Sequence, residues 1–116
     1  MAITNLNLAT LGFCVNATSA DASAAETLKA AGGSGISHYI EYISINCASA
    51  ITVTVGSGET ASAVDTPIIG PVTFTTSGGQ YDVYFNRAVK VDANTAITCD
   101  ASDAGAVHIL VYGYTK

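Results

Sequence analysis

From residue 37 to its end the chain is a succession of short stretches in which apolar and polar residues alternate, each closed by Gly, Asp, Ser or Pro. Period-two alternation puts every second side chain on one buried face of a β-strand, and the punctuating residues supply the turns. Ile51, Val53 and Val55 face one way with Thr52 and Thr54 opposite, before the Gly56-Ser57-Gly58 turn. Val72 and Phe74 alternate with Thr73 and Thr75, and Ser77-Gly78-Gly79 turns the chain again. Tyr81, Val83 and Phe85 then alternate with Asp82, Tyr84 and Asn86, and Ile97 and Cys99 with Thr98 and Asp100. Val89 and Val91 predict a further short strand ended by Asp92-Ala93-Asn94. The segment leading to Ile69 reads as a loop, because Pro67 and Pro71 cannot donate to a central ladder. Seven or eight strands at roughly ten-residue spacing predict an antiparallel sandwich or barrel.

Upstream the pattern is weaker. Residues 1–20 read as an irregular leader, in which Leu6 and Leu8 alternate with Asn5 and Asn7 as in a short strand or an extended arm. Ser23-Ala24-Ala25-Glu26 has the spacing of a capping box and predicts a short helix through Thr27–Ala31, stopped by Gly32-Gly33. The AGGSG stretch that follows lacks the Gly-Lys-Ser/Thr ending of a phosphate loop and reads as a joint. The division expected is an N-terminal arm over 1–22 and one β-domain over 23–116.

Two strands break the one-face rule. In HYIEYISINC (38–47), Ile43, Ile45 and Cys47 share one parity, yet upstream that parity carries Glu41, while Ile40 and Tyr42 fall on the other. Either a bulge near Glu41 resets the phase, or both faces are covered. In the last strand Val107, Ile109 and Val111 occupy one face and Leu110, Tyr112 and Tyr114 the other. A strand apolar on both faces must be covered twice, and a two-layer sandwich covers only one. Ile40, Tyr42, Leu110, Tyr112 and Tyr114 are therefore the expected oligomer-interface residues, facing another subunit or the arm. Glu41 is either a contact paired with Arg87 or Lys90, or a solvated carboxylate.

Composition fits partners of this kind. The chain has 116 residues, enough for one core, and is 49% hydrophobic but only 11% charged, against about 25% in an ordinary domain. Its net charge of −5, with four Lys and Arg in all, argues against a nucleic-acid binder, which needs clustered Lys and Arg for polyphosphate recognition. No apolar run approaches membrane-spanning length, and MAITNLNLAT lacks the basic start and apolar core of a signal peptide. Three cysteines (Cys14, Cys47, Cys99) without CxxC spacing read as reduced thiols, Cys47 and Cys99 inward on strands. Without a secretory route the Asn16-Ala17-Thr18 sequon carries no meaning.

No catalytic constellation is present. His38 and His108 lie on or beside strands with no nucleophile context, and two His among scattered Asp give no metal-ligand spacing. Asp100 and Asp103 flank a turn, where turn-forming Asp is commoner than a Ca²⁺ ligand. The expectation is no enzyme, no cofactor and no metal.

The order of these features from residue 23 onward resembles a known family. A short helix leads into HYIEYISINCASAITVTVGSG, then IIGPVTF, a Gly-Gly turn, YDVYFNRAVKV and an ending of the form G-x-V-x-x-x-V-Y-G-Y. This is similar to the small jelly-roll decoration, or cement, proteins of tailed-bacteriophage capsids, and the resemblance covers about three-quarters of the chain. It implies an all-β, antiparallel jelly-roll-like sandwich with one short N-terminal helix. It further implies a homotrimer on the outer surface of the head, made in the host cytoplasm, that holds neighbouring major capsid subunits together. An arm including Leu6 and Leu8 would reach the capsid; no other capsid-binding residue is carried over. The rival readings are a carbohydrate- or receptor-binding sandwich of a phage tail, which would use exposed aromatics such as Tyr81 or Tyr84, and a tail or baseplate component of similar fold.

Overall fold

A computed structural model of the protein describes residues 11–116, and these described residues fold into eight strands and no helix. They are β1 (Leu11–Ser19), β2 (Glu26–Lys29), β3 (His38–Cys47), β4 (Thr52–Thr60), β5 (Ala63–Thr73), β6 (Gly79–Lys90), β7 (Ile97–Ala101) and β8 (Val107–Thr115). All pairings are antiparallel, and they build two four-stranded sheets, β1-β8-β3-β6 and β2-β7-β4-β5. The sheets face each other as a β-sandwich.

The predicted alternation is what fills the space between them. Ile43, Ile45, Ile109 and Val111 from the first sheet meet Val53, Val55, Ile97 and Cys99 from the second, each at most 1% exposed. Burying one such aliphatic side chain contributes about 1.5–3 kcal/mol, so this layer is the main source of stability.

The phase switch in β3 is a bulge. Against β8, Ile40 pairs with Gly113 and Tyr42 with Tyr112, leaving Glu41 as the extra residue, while against β6 the register shifts at the same place with residues 85–88 of β6 opposite Glu41. A bulge flips the parity of everything beyond it. Ile40 therefore sits in the protomer's own core at 0% exposure, and its assignment to an oligomer interface is corrected. The bulge also presses β3 onto β8. A Cβ at Gly113 would run into the Tyr39 carbonyl oxygen and come within 3.1 Å of the Ile40 Cα, so only glycine fits opposite the bulge.

Three further expectations fall. The helix at 23–31 is absent, and residues 26–29 form β2 against β7. A capping box needs the Ser23 and Glu26 groups to bond each other's backbone, and here they are engaged elsewhere. The Ser23 amide donates to Asp21 Oδ1 (3.0 Å), Glu26 Oε1 accepts from Ser19 Oγ (3.1 Å), and the Ala25 amide donates to the Ser62 carbonyl (2.9 Å). The Pro67–Ile69 segment is part of β5, not a loop; β5 is a sheet edge, and its ladder with β4 shifts register on both sides of Val55, which is where prolines are tolerated. Residues 11–19 of the expected arm form β1, paired one-to-one with β8. Leu6 and Leu8 lie outside the described residues.

The second sheet covers the outer side of β7 around Thr98 with its own hairpin. The β4–β5 hairpin bends at Gly56, where a Cβ would meet the Thr66 carbonyl oxygen and the Val64 side chain. Its distal half turns across β7: Asp100 Oδ2 accepts the Val64 amide (2.8 Å), and Thr98 Oγ1 donates to the Gly58 carbonyl (2.7 Å), leaving Thr98 only 1% exposed. Among the described residues no helix is long and apolar enough to cross a membrane.

Candidate functional site: an aromatic sheet face

The outer side of the first sheet has no such cover among the described residues, and its chemistry follows from register. Antiparallel pairing aligns residues into rows across strands, and same-face side chains in a row touch. One row reads Cys14, Tyr112, Tyr42, Tyr84 across β1, β8, β3 and β6. The row toward the chain terminus holds Gly12, Tyr114 and Tyr39. On the other side lie Asn16, Leu110, Ser44, Asp82, and beyond them Thr18, His108, Asn46, Gln80.

Five of the chain's six tyrosines therefore share one face. Tyr42 and Tyr112 stack with ring centroids 5.0 Å apart, and Tyr84 closes the cluster at 6.1 Å from Tyr42 and 6.4 Å from Tyr112. Tyr39 and Tyr114 stack at 4.9 Å, with Lys116 Nζ 5.4 Å from the Tyr39 ring and 5.9 Å from the Tyr114 ring. Both geometries are favourable for π systems, offset stacking for the rings and a cation over their faces. Partial burial among neighbours holds the Tyr112 phenol above its ordinary range, and Tyr84 and Glu41 act in the same direction. The tyrosine cluster is thus aromatic and partly exposed, Tyr84 most of all at 66%.

Beside the rings the polar groups are fixed. Ser44 Oγ donates to Asp82 Oδ1 (2.6 Å), and Gln80 Nε2 donates to both Asp82 oxygens (3.1 and 2.8 Å). His108 Nε2 bonds Asn16 Oδ1. Past this polar end an open hollow of about 510 Å³ is bordered by Thr18, Asn46, Ala48, Ala106 and His108.

Of the expected interface residues, Tyr42, Leu110, Tyr112 and Tyr114 are brought together here, all half-buried. Tyr39 and Tyr84 belong to the same face and were missed. Tyr84 stood on the outward parity of its strand but was not linked to Tyr42, because strand pairing is not readable from periodicity. Tyr39 was hidden by the bulge. Tyr81 and Tyr84, named together as candidate glycan contacts, lie on opposite sides of β6, Tyr81 pairing with the inward Ile45.

The histidines are structural bridges. His38 is 2% exposed, with Nε2 2.7 Å from the Ala30 carbonyl and Nδ1 2.7 Å from Thr115 Oγ1. A carbonyl only accepts, so Nε2 carries the proton it donates to Ala30. Asp100 is engaged by Val64, as described above, and among the described residues no group of three or more His, Cys, Asp or Glu is arranged to hold a metal.

No protein-family model matches the sequence, and no curated protein matches it. Among solved structures, the chain is similar to one described as the cryo-EM structure of the giant freshwater prawn Macrobrachium rosenbergii extra small virus (XSV) VLP. The TM-score is 0.46 at 12% identity, over 99% of this chain and 83% of that one.

Proposed function

We propose that this chain is a viral structural protein with no catalytic role, a capsid decoration or cement protein of a tailed bacteriophage. In this reading it binds the outside of the head as a homotrimer and bridges major capsid subunits. The observation that carries the proposal is the asymmetry of the two outer faces. One sheet folds its own hairpin over the outer side of β7, while the other presents five tyrosines and Leu110 with no cover among the described residues. Contiguous apolar and aromatic surface on a folded protein marks an interaction site. The strand order supports the fold half of the reading: β1-β8-β3-β6 facing β2-β7-β4-β5 is the arrangement that two nested Greek keys produce in a jelly roll.

The mechanism is adhesion. Tyr42, Leu110, Tyr112 and Tyr114 are buried between protomers, and the trimer then engages several shell subunits at once, so that individually weak contacts act with high avidity. The test is direct. Gradient-purified particles should carry the chain at a fixed ratio to the shell protein, and light scattering should give the mass of three chains. A monomer, or absence from the particle, overturns the proposal.

A second reading is favoured by one observation: Tyr84 is 66% exposed beside the fixed Asp82–Gln80 pair, a combination suited to stacking and hydrogen-bonding a sugar. Glycan-array binding lost in Tyr84→Ala would support it over the capsid role.

A further inference from the structure

Aromatic rings in this fold act as seats for cations. Lys29 Nζ lies 4.9 Å from the centre of the Phe13 ring, and Lys116 Nζ serves both rings of the Tyr39–Tyr114 stack, at 5.4 and 5.9 Å. The negative face of a ring attracts a positive charge within about 6 Å of its centre. The largest ring cluster, Tyr42, Tyr84 and Tyr112, has no such occupant among the described residues. Its core repeats the geometry that holds Lys116, two stacked rings 5.0 Å apart against 4.9 Å, and Tyr84 adds a third ring that is 66% exposed.

Beside this cluster stands a carboxylate. Glu41 is the extra residue of the β3 bulge, next to Tyr42 in the chain, and its charge helps to hold the Tyr112 phenol above its ordinary range. It is half-buried, and among the described residues it has no ion-pair partner. Leaving a partly desolvated carboxylate unpaired is costly, and the neighbouring ring faces favour the same sign of guest. The chain's remaining cations, Arg87 and Lys90, lie on the facing strand β6, yet neither sits over the three rings. Residues 1–10 contain no Lys or Arg.

We propose that Glu41 and the faces of Tyr42, Tyr84 and Tyr112 form a binding site for an ammonium or guanidinium group, the cationic end of a Lys or Arg side chain on a partner. The inference rests on the reading of this face as a contact surface and names the chemistry that the partner brings to it. The cation lies over the rings as Lys116 does over its own pair, and Glu41 balances its charge. A carboxylate or phosphate guest is repelled by Glu41 and by the ring faces, and an aliphatic guest leaves Glu41 unpaired.

The probes are arginine amide and tetramethylammonium, added at fixed ionic strength to the full chain at a dilution where light scattering gives the mass of one protomer. Both should shift the ring-proton resonances of Tyr42, Tyr84 and Tyr112 saturably and leave Tyr81, on the other side of β6, unmoved. The uncharged tert-butanol, similar in shape to tetramethylammonium, should not. Glu41→Gln and Tyr84→Leu should each weaken binding about threefold or more, while Tyr84→Phe, which keeps the ring, retains it; a melting scan confirms each fold. Lys116→Gln empties the Tyr39–Tyr114 stack, so the same probes should then shift those two rings as well. No saturable shift overturns the proposal, as does an equal response to tert-butanol or an affinity unchanged in both Glu41→Gln and Tyr84→Leu. Shifts that appear only in Arg87→Gln or Lys90→Gln also overturn it, because the chain then fills the site itself. Given binding, assembly weakened by Arg87→Gln or Lys90→Gln assigns the cation to a neighbouring copy, and assembly untouched by both assigns it to another protein. Cation shifts in a chain that never reaches trimer mass remove the trimer alone; a trimer whose protomer shows none removes this site alone.

Discussion

Tyr42 and Tyr112 stack across neighbouring strands, centroids 5.0 Å apart and planes 21° from parallel, on the side of the sheet away from the core. The pair holds two rings in place on a half-exposed surface, so the entropy of ordering them is already spent before any partner arrives. A pre-ordered aromatic patch suits an interface better than flexible side chains would.

The first prediction follows from that patch. Tyr112→Asp or Leu110→Asp places an unpaired carboxylate in the contact, and desolvating it costs several kcal/mol. Assembly should weaken by at least tenfold, equivalent to about 1.4 kcal/mol, while the melting temperature of the dissociated protomer changes little. Light scattering across a dilution series measures it. Variants that keep the full wild-type mass would show that these side chains lie outside the interface.

Ile40 and Tyr42, two residues apart across the bulge, should behave oppositely. Ile40→Ala removes a fully buried side chain and should lower unfolding free energy by about 2–5 kcal/mol. Tyr42→Ala should barely alter the denaturant midpoint of the monomer but weaken oligomerisation. If Ile40→Ala proved neutral for stability, the bulge would be misplaced.

That contrast shows what was legible in the sequence. β4, β7 and β8 were readable because one face of each alternates cleanly, and four interface candidates follow from β3 and β8 alone. Ile40 was misassigned because a bulge is one extra residue, invisible to a pattern that counts by two. The Ser23–Glu26 spacing is a local helix signal, and it lost to long-range partners, the Ser62 carbonyl and the Ser19 hydroxyl, that no window can see. β5 was missed because its prolines are allowed only by its edge position, and edge position is a property of the whole sheet. The tyrosine cluster as a unit needed register: Tyr42, Tyr84 and Tyr112 come from three strands.

Gly113→Ala tests the bulge from the opposite strand. The added Cβ meets backbone, the Tyr39 carbonyl and the Ile40 Cα, and cannot be relieved by rotating a side chain. Forcing the two strands apart should cost about 1–3 kcal/mol, read as a lower denaturant midpoint. Gly12→Ala, whose nearest neighbour to an added Cβ is 3.9 Å away, is the control and should be near neutral.

Cys99 gives the last prediction, and its sign is set by linkage. Burial, helped by the Glu26 and Asp100 charges, pushes its thiol up to about 12 from an ordinary value of 9.0. Between those values the unfolded chain releases a proton that the folded chain retains, so unfolding becomes easier as pH rises. Stability from this group should be level below about pH 9 and decline from there toward pH 12. Cys99→Ala should flatten that decline, whatever it does to stability at neutral pH. The same burial predicts labelling: at pH 8 a thiol reagent should modify Cys14 quickly and reach Cys47 and Cys99 only after denaturant is added. Rapid modification of Cys99 in the folded protein would show that the sandwich opens at the β2–β7 side far more readily than its packing implies.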